Sequence, residues 1–253
     1  MKFNFDYKMP NVIAEIGCNH MGDINIAKEL IDLAKEAGAQ YVKFQKRNNI
    51  ELLTDEQYNS PHPNLYNSYG DTYGAHREYL EFDVNQHKEL KTYAEGLGLI
   101  YSTSVWDTTA AKEIVSINPV LIKVPSACNN HFEMLTWLCE NYSGEIHIST
   151  GMTTKDEIGE LVNFFTEKGR NQDLVIYNCT SGYPVPFEDV CLLEITRMKQ
   201  LYEDKVKHIG FSGHHLGISI DIAAYLLSKK NKTFEDEMGS FAERHPKNIC
   251  FNL

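Results

Sequence analysis

A single (β/α)8 barrel with a doubtful or truncated eighth unit is the fold class predicted for this 253-residue sequence, and three observations carry it. Short apolar runs alternate with segments of helical apolar spacing through seven strand-then-helix units, most roughly 25–30 residues apart, which implies parallel pairing. No G-x-G-x-x-G turn follows the first strand, so a doubly wound sheet ranks behind the barrel. The length suits one large core, and 42% hydrophobic with 23% charged residues is ordinary for a globular chain. Residues 1–253 are therefore read as one domain.

The first strand is VIAEIG (12–17), an apolar run followed by Asp23 as a helix N-cap. Ile24, Ala27, Ile31 and Ala34 then recur at helical spacing, and Gly38 marks the stop. YVKFQ (41–45) is the second strand. LIYSTSV (99–105) leads into a helix from about Thr108, and LIKVPS (121–126) into one from about His131. EIHIST (145–150) precedes Thr153 and Thr154, each three residues before an acid in capping-box spacing, with a capping role expected of Thr153. DLVIYNCTS (173–181) and HIGFSG (208–213) complete the series, the latter followed by a helix from about Ile218.

Two regions break this rhythm. Residues 46–84 are rich in Tyr, Asn, Ser, Pro and His, and a connection this long inside a compact domain reads as a lid-like insertion. After Tyr225 the tail (226–253) shows little strand signal and no final helix, so an eighth unit is not expected in regular form.

Composition narrows the partners. A net charge of −11 argues against nucleic acid or an anionic membrane, although lysines gathered in one pocket would still suit an anionic small molecule. The six cysteines are scattered without a C-x-x-C pair, as in a protein of the reducing cytoplasm. The start, MKFNFDYKMP, has no signal-peptide core, and no apolar run is long enough to span a bilayer.

In such barrels chemistry gathers at the C-terminal ends of the strands. The polar residues there are Glu15; Lys43 and Gln45; Ser102 and Thr103; Lys123 and Ser126; Ser149 and Thr150; Asn178, Thr180, Ser181 and Tyr183; and Ser212 and His214. Taken singly, a lysine at a strand end is commonly a solvated rim residue, and a hydroxyl commonly a helix cap. Two lysines, a glutamate and several hydroxyls converging on one mouth are costly to bury unless a ligand or each other satisfies them. Two cations beside hydroxyl donors suit a phosphate and a carboxylate.

KHIGFSGHHLG (207–217) carries two adjacent histidines. Strand alternation puts His214 on the face of Ser212 and turns His215 toward the helices or solvent. One histidine is weak ground for a metal, which ordinarily takes three or more protein ligands. ERH (243–245) is the only other acid-and-histidine cluster downstream.

Six ordered motifs resemble the N-acetylneuraminate (sialic acid) synthase family, with its relatives that make legionaminic-type acids and the spore-coat polysaccharide proteins. They are IAEIGCNHMGDINIAKELIDLAKEAGAQYVKFQ, YSTSVWD, IKVPSACNN, ISTGMTTKDEI, NCTSGYPVPFEDV and GFSGHHLG, and they cover roughly 11–225. The resemblance implies condensation of phosphoenolpyruvate with the open-chain aldehyde of an N-acylated aminosugar, releasing phosphate, in a cytoplasmic enzyme. It implies that Lys43, Thr103, Lys123, Ser126, Ser181 and Ser212 contact phosphoenolpyruvate, and that Gln45 and Tyr183 contact the sugar. By the same resemblance Glu15 would be the acid at the reacting centre, grouped with Lys43 and Lys123 as catalytic. His214 corresponds to a ligand of a divalent metal, Mn2+ or else Mg2+, and His245 to a second. Departures are Cys128 in place of an acid, Gly213 in place of an aspartate, a late FAERHP, and no antifreeze-like C-terminal domain. A homodimer stays open. The alternatives are a Schiff-base aldolase using Lys43 or Lys123, and an inactive barrel that binds a sugar phosphate.

Overall fold

A computed structural model describes residues 10–228 and 249–252. Seven parallel strands follow one another around a closed barrel: β1 (Asn11–Gly17), β2 (Tyr41–Lys46), β3 (Ile100–Val105), β4 (Leu121–Val124), β5 (Glu145–Ser149), β6 (Leu174–Cys179) and β7 (His208–Ser212). The gap between β7 and β1 is closed by β8 (Ile249–Asn252), which pairs antiparallel with both. The eighth position is thus filled out of the regular βα pattern, in keeping with the doubtful or truncated eighth unit that the sequence predicts. The last four described residues supply a strand, but it runs against the other seven and lacks the βα form that the sequence periodicity tracks. FAERHP (241–246), with His245, lies outside the described residues.

Helices α1 (Ile24–Glu36), α5 (Val84–Gly96), α6 (Thr108–Ser116), α7 (Phe132–Asn141), α8 (Lys155–Glu167), α9 (Leu193–Tyr202) and α10 (Ser219–Ser228) follow successive strands. The insertion between β2 and α5 folds into α2 (Asn49–Leu52), α3 (Asp55–Asn59), a 3-10 turn (Leu65–Asn67) and α4 (Tyr73–Leu80). Asp23 caps α1 through the Asn25 amide, as its sequence position predicts. Thr154, not Thr153, forms the capping box of α8 with Glu157. Thr153 instead donates to the Gly151 carbonyl and accepts from Asn129 Nδ2, so it ties two mouth loops together.

Alternate strand residues separate two environments. Val42, Phe44 and Tyr101 face outward and pack with Ile31 of α1 and Leu90 and Ala94 of α5. Val105, Ile122, Ile146 and Ile176 do the same against α6, α7 and α8. The intervening inward positions include Lys43, Ser104, Lys123, His147 and Ser212, all buried. At the opposite end of the barrel from the mouth, the Arg170 guanidinium donates to the carbonyls of Cys139 (2.9 Å), Tyr142 and Gly144 (2.9 Å) and pairs with Asp173 (2.7 Å). It thereby joins the α7–β5 and α8–β6 connections. No helix among the described residues is long and apolar enough to cross a membrane.

Two buried histidines sit beside this frame. His20 stacks on Phe82 with ring centres 4.0 Å apart, and His87 Nδ1 shares a 2.6 Å hydrogen bond with the Tyr101 hydroxyl. Burial pushes their pKa values down to about 4 and about 3. In both cases the folded value lies below that of the unfolded chain, which therefore takes up protons first. Stability is complete above about pH 6.5 and is lost as pH falls toward 4, by at most about 1.4 kcal/mol per pH unit for each histidine. Urea unfolding at pH 7, 6 and 5 should show this slope. His20→Asn should reduce it by up to one proton, and an unreduced slope would remove His20 as a contributor.

Candidate active site

At the mouth, the first pair of strands brings charge into the barrel. Glu15 and Lys43 are neighbours in the β1–β2 register, and their side chains form an ion pair. Lys43 is 3% exposed and also donates to Ser104 Oγ at 3.1 Å. Gln45, one pleat further along β2, donates from Nε2 to Glu15 Oε1 at 3.0 Å. Gly17 follows with a positive φ of 58°, and a Cβ there would stand 3.2 Å from Glu15 Oε1 and 3.3 Å from Gln45 Nε2.

A second cation enters from β4. Lys123 is 4% exposed, donates to Ser212 Oγ at 3.2 Å and lies 4.4 Å above the centre of the Tyr177 ring. Below it, the Tyr177 hydroxyl meets His147 Nδ1 at 2.7 Å, and His147 Nε2 meets Glu145 Oε2 at 3.0 Å. A carboxylate only accepts, so Nε2 carries a proton. Burial lowers the His147 pKa against the opposing pull of Glu145, so the ring is neutral and Nδ1 accepts from the tyrosine. That hydrogen bond from His147, with help from Lys207 at 2.8 Å, holds the Glu145 carboxyl down at about 2.

The loops after β4, β5 and β6 add hydroxyls. Ser126 Oγ accepts from the Gly151 amide at 3.0 Å and lies 3.6 Å from Cys179 Sγ. A Cβ on Gly151 would fall 2.5 Å from Ser181 Oγ and 2.7 Å from Ser126 Oγ, so both serines crowd one glycine. Past β7, the His214 ring packs at 4.4 Å against that of Tyr183, a residue 79% exposed. Burial first, then Lys123 and Lys43, pushes His214 down to about 4. His215 turns away, bonds to Asp221 of α10 at 3.1 Å and packs on Phe211.

The structure thus brings together Glu15, Lys43, Gln45, Lys123 and Ser212 in the barrel, with Ser126 and Ser181 around Gly151 and Tyr183 against His214. Thr103 is placed elsewhere. It shares the outward parity of Tyr101 and Val105, and Ser104 is the β3 hydroxyl that meets Lys43. The sequence reading also missed His147 and Tyr177, although period-two counting from Ser149 and Cys179 puts both on the inward face. Arg47 and Glu81 gave no such signal, because they lie beyond the strand and at the end of the insertion.

For a divalent metal, His214 offers a buried Nδ1 with no hydrogen-bond partner among the described residues, on a ring kept neutral, which fits one ligand. Among the described residues no three His, Cys, Asp or Glu side chains gather around an ion-sized space, and His245 lies outside them.

The sequence model of the NeuB family matches residues 30–230. N-acetylneuraminate-9-phosphate synthase from Homo sapiens is 36% identical over 219 residues, covering 87% of this chain and 59% of that protein. N,N'-diacetyllegionaminic acid synthase from Campylobacter jejuni is 28% identical, over 96% of this chain and 75% of its own length. The chain thus spans about three fifths of the first of these curated relatives. Among solved structures, an N-acetylneuraminic acid synthetase from Leptospira borgpetersenii, in complex with citrate, superposes with a TM-score of 0.72 at 25% identity, covering 85% of this chain and 68% of that one. A spore coat polysaccharide biosynthesis protein from Bacillus subtilis gives 0.70 at 26% identity, over 86% and 57% of the two chains.

Gly151→Ala should force Ser126 and Ser181 aside at an overpacking cost of about 1–3 kcal/mol. The fold should survive, while calorimetry should show weaker binding of a small organic phosphate. Unchanged affinity would separate these serines from anion binding.

Proposed function

The chain belongs to the NeuB family, and on that premise we propose that it condenses phosphoenolpyruvate with the aldehyde of an N-acylated aminosugar. One observation carries the proposal: two buried lysines enter the same barrel, one paired with Glu15, the other against Ser212, while Ser126 and Ser181 crowd Gly151 in the loops that follow the neighbouring strands. A donor bearing both a phosphate and a carboxylate matches two ammonium groups set among hydroxyls. Thr103 is replaced in this reading by Ser104.

The donor's methylene carbon forms the new bond to the aldehyde carbon, and the aldehyde oxygen takes a proton to become a hydroxyl. Water adds to the donor's second carbon, and the bond from that carbon to the bridging oxygen breaks, so phosphate leaves with that oxygen. Lys43 and Lys123 hold the anionic donor in line, which lowers the barrier by orientation and by charge already in place. Glu15 sits where protons move, and Gln45 and Tyr183 flank the acceptor. A divalent metal held by His214, when bound, would supply Lewis-acid polarisation of the aldehyde oxygen.

Lys43→Ala or Lys123→Ala should weaken donor binding by roughly 2–5 kcal/mol, read by calorimetry with phosphoenolpyruvate. Unchanged affinity in both would remove the donor site. Oxygen-18 in the bridging position should appear in the released phosphate, and its retention in the sugar acid would mean a different reaction. Borohydride trapping of an imine would point to the aldolase instead.

His214→Ala should abolish manganese-dependent phosphate release, whereas His215→Ala, which only loosens the contact with Asp221, should be mild. The reverse order would exchange their roles. Tight manganese binding that survives His245→Ala would exclude that residue as a ligand.

A further inference from the structure

Beside the mouth, a guanidinium belonging to none of the groups above touches one of them. Arg47 follows β2 and Glu81 ends α4, and their side chains, each 7% exposed, form an ion pair at 3.1 Å. The Arg47 amide also donates to Glu81 Oε2 at 3.0 Å, so the carboxylate is held at both oxygens. Arg47 lies over the Trp106 ring at 4.7 Å and donates to Cys18 Sγ at 3.3 Å. Its remaining terminal nitrogen, Nη2, donates to Gln45 Oε1.

That last contact has a chemical consequence. A guanidinium has donors and no acceptor, so only the carbonyl end of Gln45 can face it. The amide nitrogen must then point the other way, where it donates to Glu15 Oε1. Without Arg47 the two ends of the amide are nearly the same size, and a flip would set a carbonyl oxygen against a carboxylate. We propose that Arg47 and Glu81 are positioning residues: they lock the Gln45 amide in one orientation, and so fix the Glu15 carboxylate and leave a single amide hydrogen for the acceptor. Because Glu81 terminates the insertion, the packing of residues 46–84 sets the geometry at the reacting carboxylate. The catalytic consequence rests on the reaction proposed above; the amide orientation does not.

The test compares the full chain with Arg47→Met, Arg47→Lys and Glu81→Gln. In folded Arg47→Met, kcat should fall and the KM for the aminosugar rise, together by roughly 10- to 100-fold. The Kd for phosphoenolpyruvate should stay within about twofold, since Lys43 and Lys123 keep their places, and Arg47→Lys should recover part of the loss. A merely structural role would lower the melting temperature without this split. Unchanged kcat and KM, or a donor Kd weakened as much as kcat, would overturn the proposal. If Arg47→Met does not fold, Glu81→Gln is judged by the same criteria. If the wild-type chain releases no phosphate with any aminosugar, the proposed reaction fails and the positioning claim is judged alone. The Gln45 side-chain amide should then exchange its hydrogens at least about tenfold faster in the variant by nitrogen-15 NMR, and equal rates would overturn it.

Discussion

Two ammonium groups held inside a β-barrel constrain almost everything around them. An unpaired buried charge is expensive enough that partner positions are dictated by strand register. Glu15 lies directly across from Lys43, and Ser104 adjoins both Lys43 and the register neighbour Lys123. A one-residue slip of β2 would turn Lys43 into the α1–α5 packing layer and bring Phe44 into the mouth. The polar interior and the helix-facing core therefore specify the same register from opposite sides.

Lys123 is supported differently. Its ring platform, Tyr177, is fully buried, and the hydroxyl finds its acceptor in His147, which burial keeps neutral against the pull of Glu145, to which its other nitrogen donates. The line of contacts runs down the barrel to Lys207, at the start of β7. Each group satisfies the next, so a polar axis replaces the layered apolar filling common in these barrels. Such an axis allows little lateral movement of the ammonium at its upper end.

Strands β1 to β7 and the helices after them were legible because their periodicity is strong and their caps are local. Asp23 is a case in point. Single-residue parity within a polar strand was harder: YSTSV contains three aliphatic hydroxyls, and only the pleat tells Ser104 from Thr103. Thr153 and Thr154 present the same capping spacing, and the loop geometry decides in favour of the second. β8 was illegible because pairing with β1 and β7 alone makes four residues a strand, and its direction leaves no trace in the composition. Arg47 and Glu81 are separated by the whole insertion, so nothing local in the sequence announces their contact.

Arg170 gives the barrel two ends of unequal firmness. Its fork collects three carbonyls and a carboxylate from two connections on the side away from the mouth, where one rigid plane replaces several separate turns. The strand ends there are tied through one side chain, while the mouth loops and the insertion lie at the other end of the barrel. Sequence change in 46–84 and in the loop after β6 therefore leaves the spacing of the two lysines to the strands, which the scaffold fixes independently.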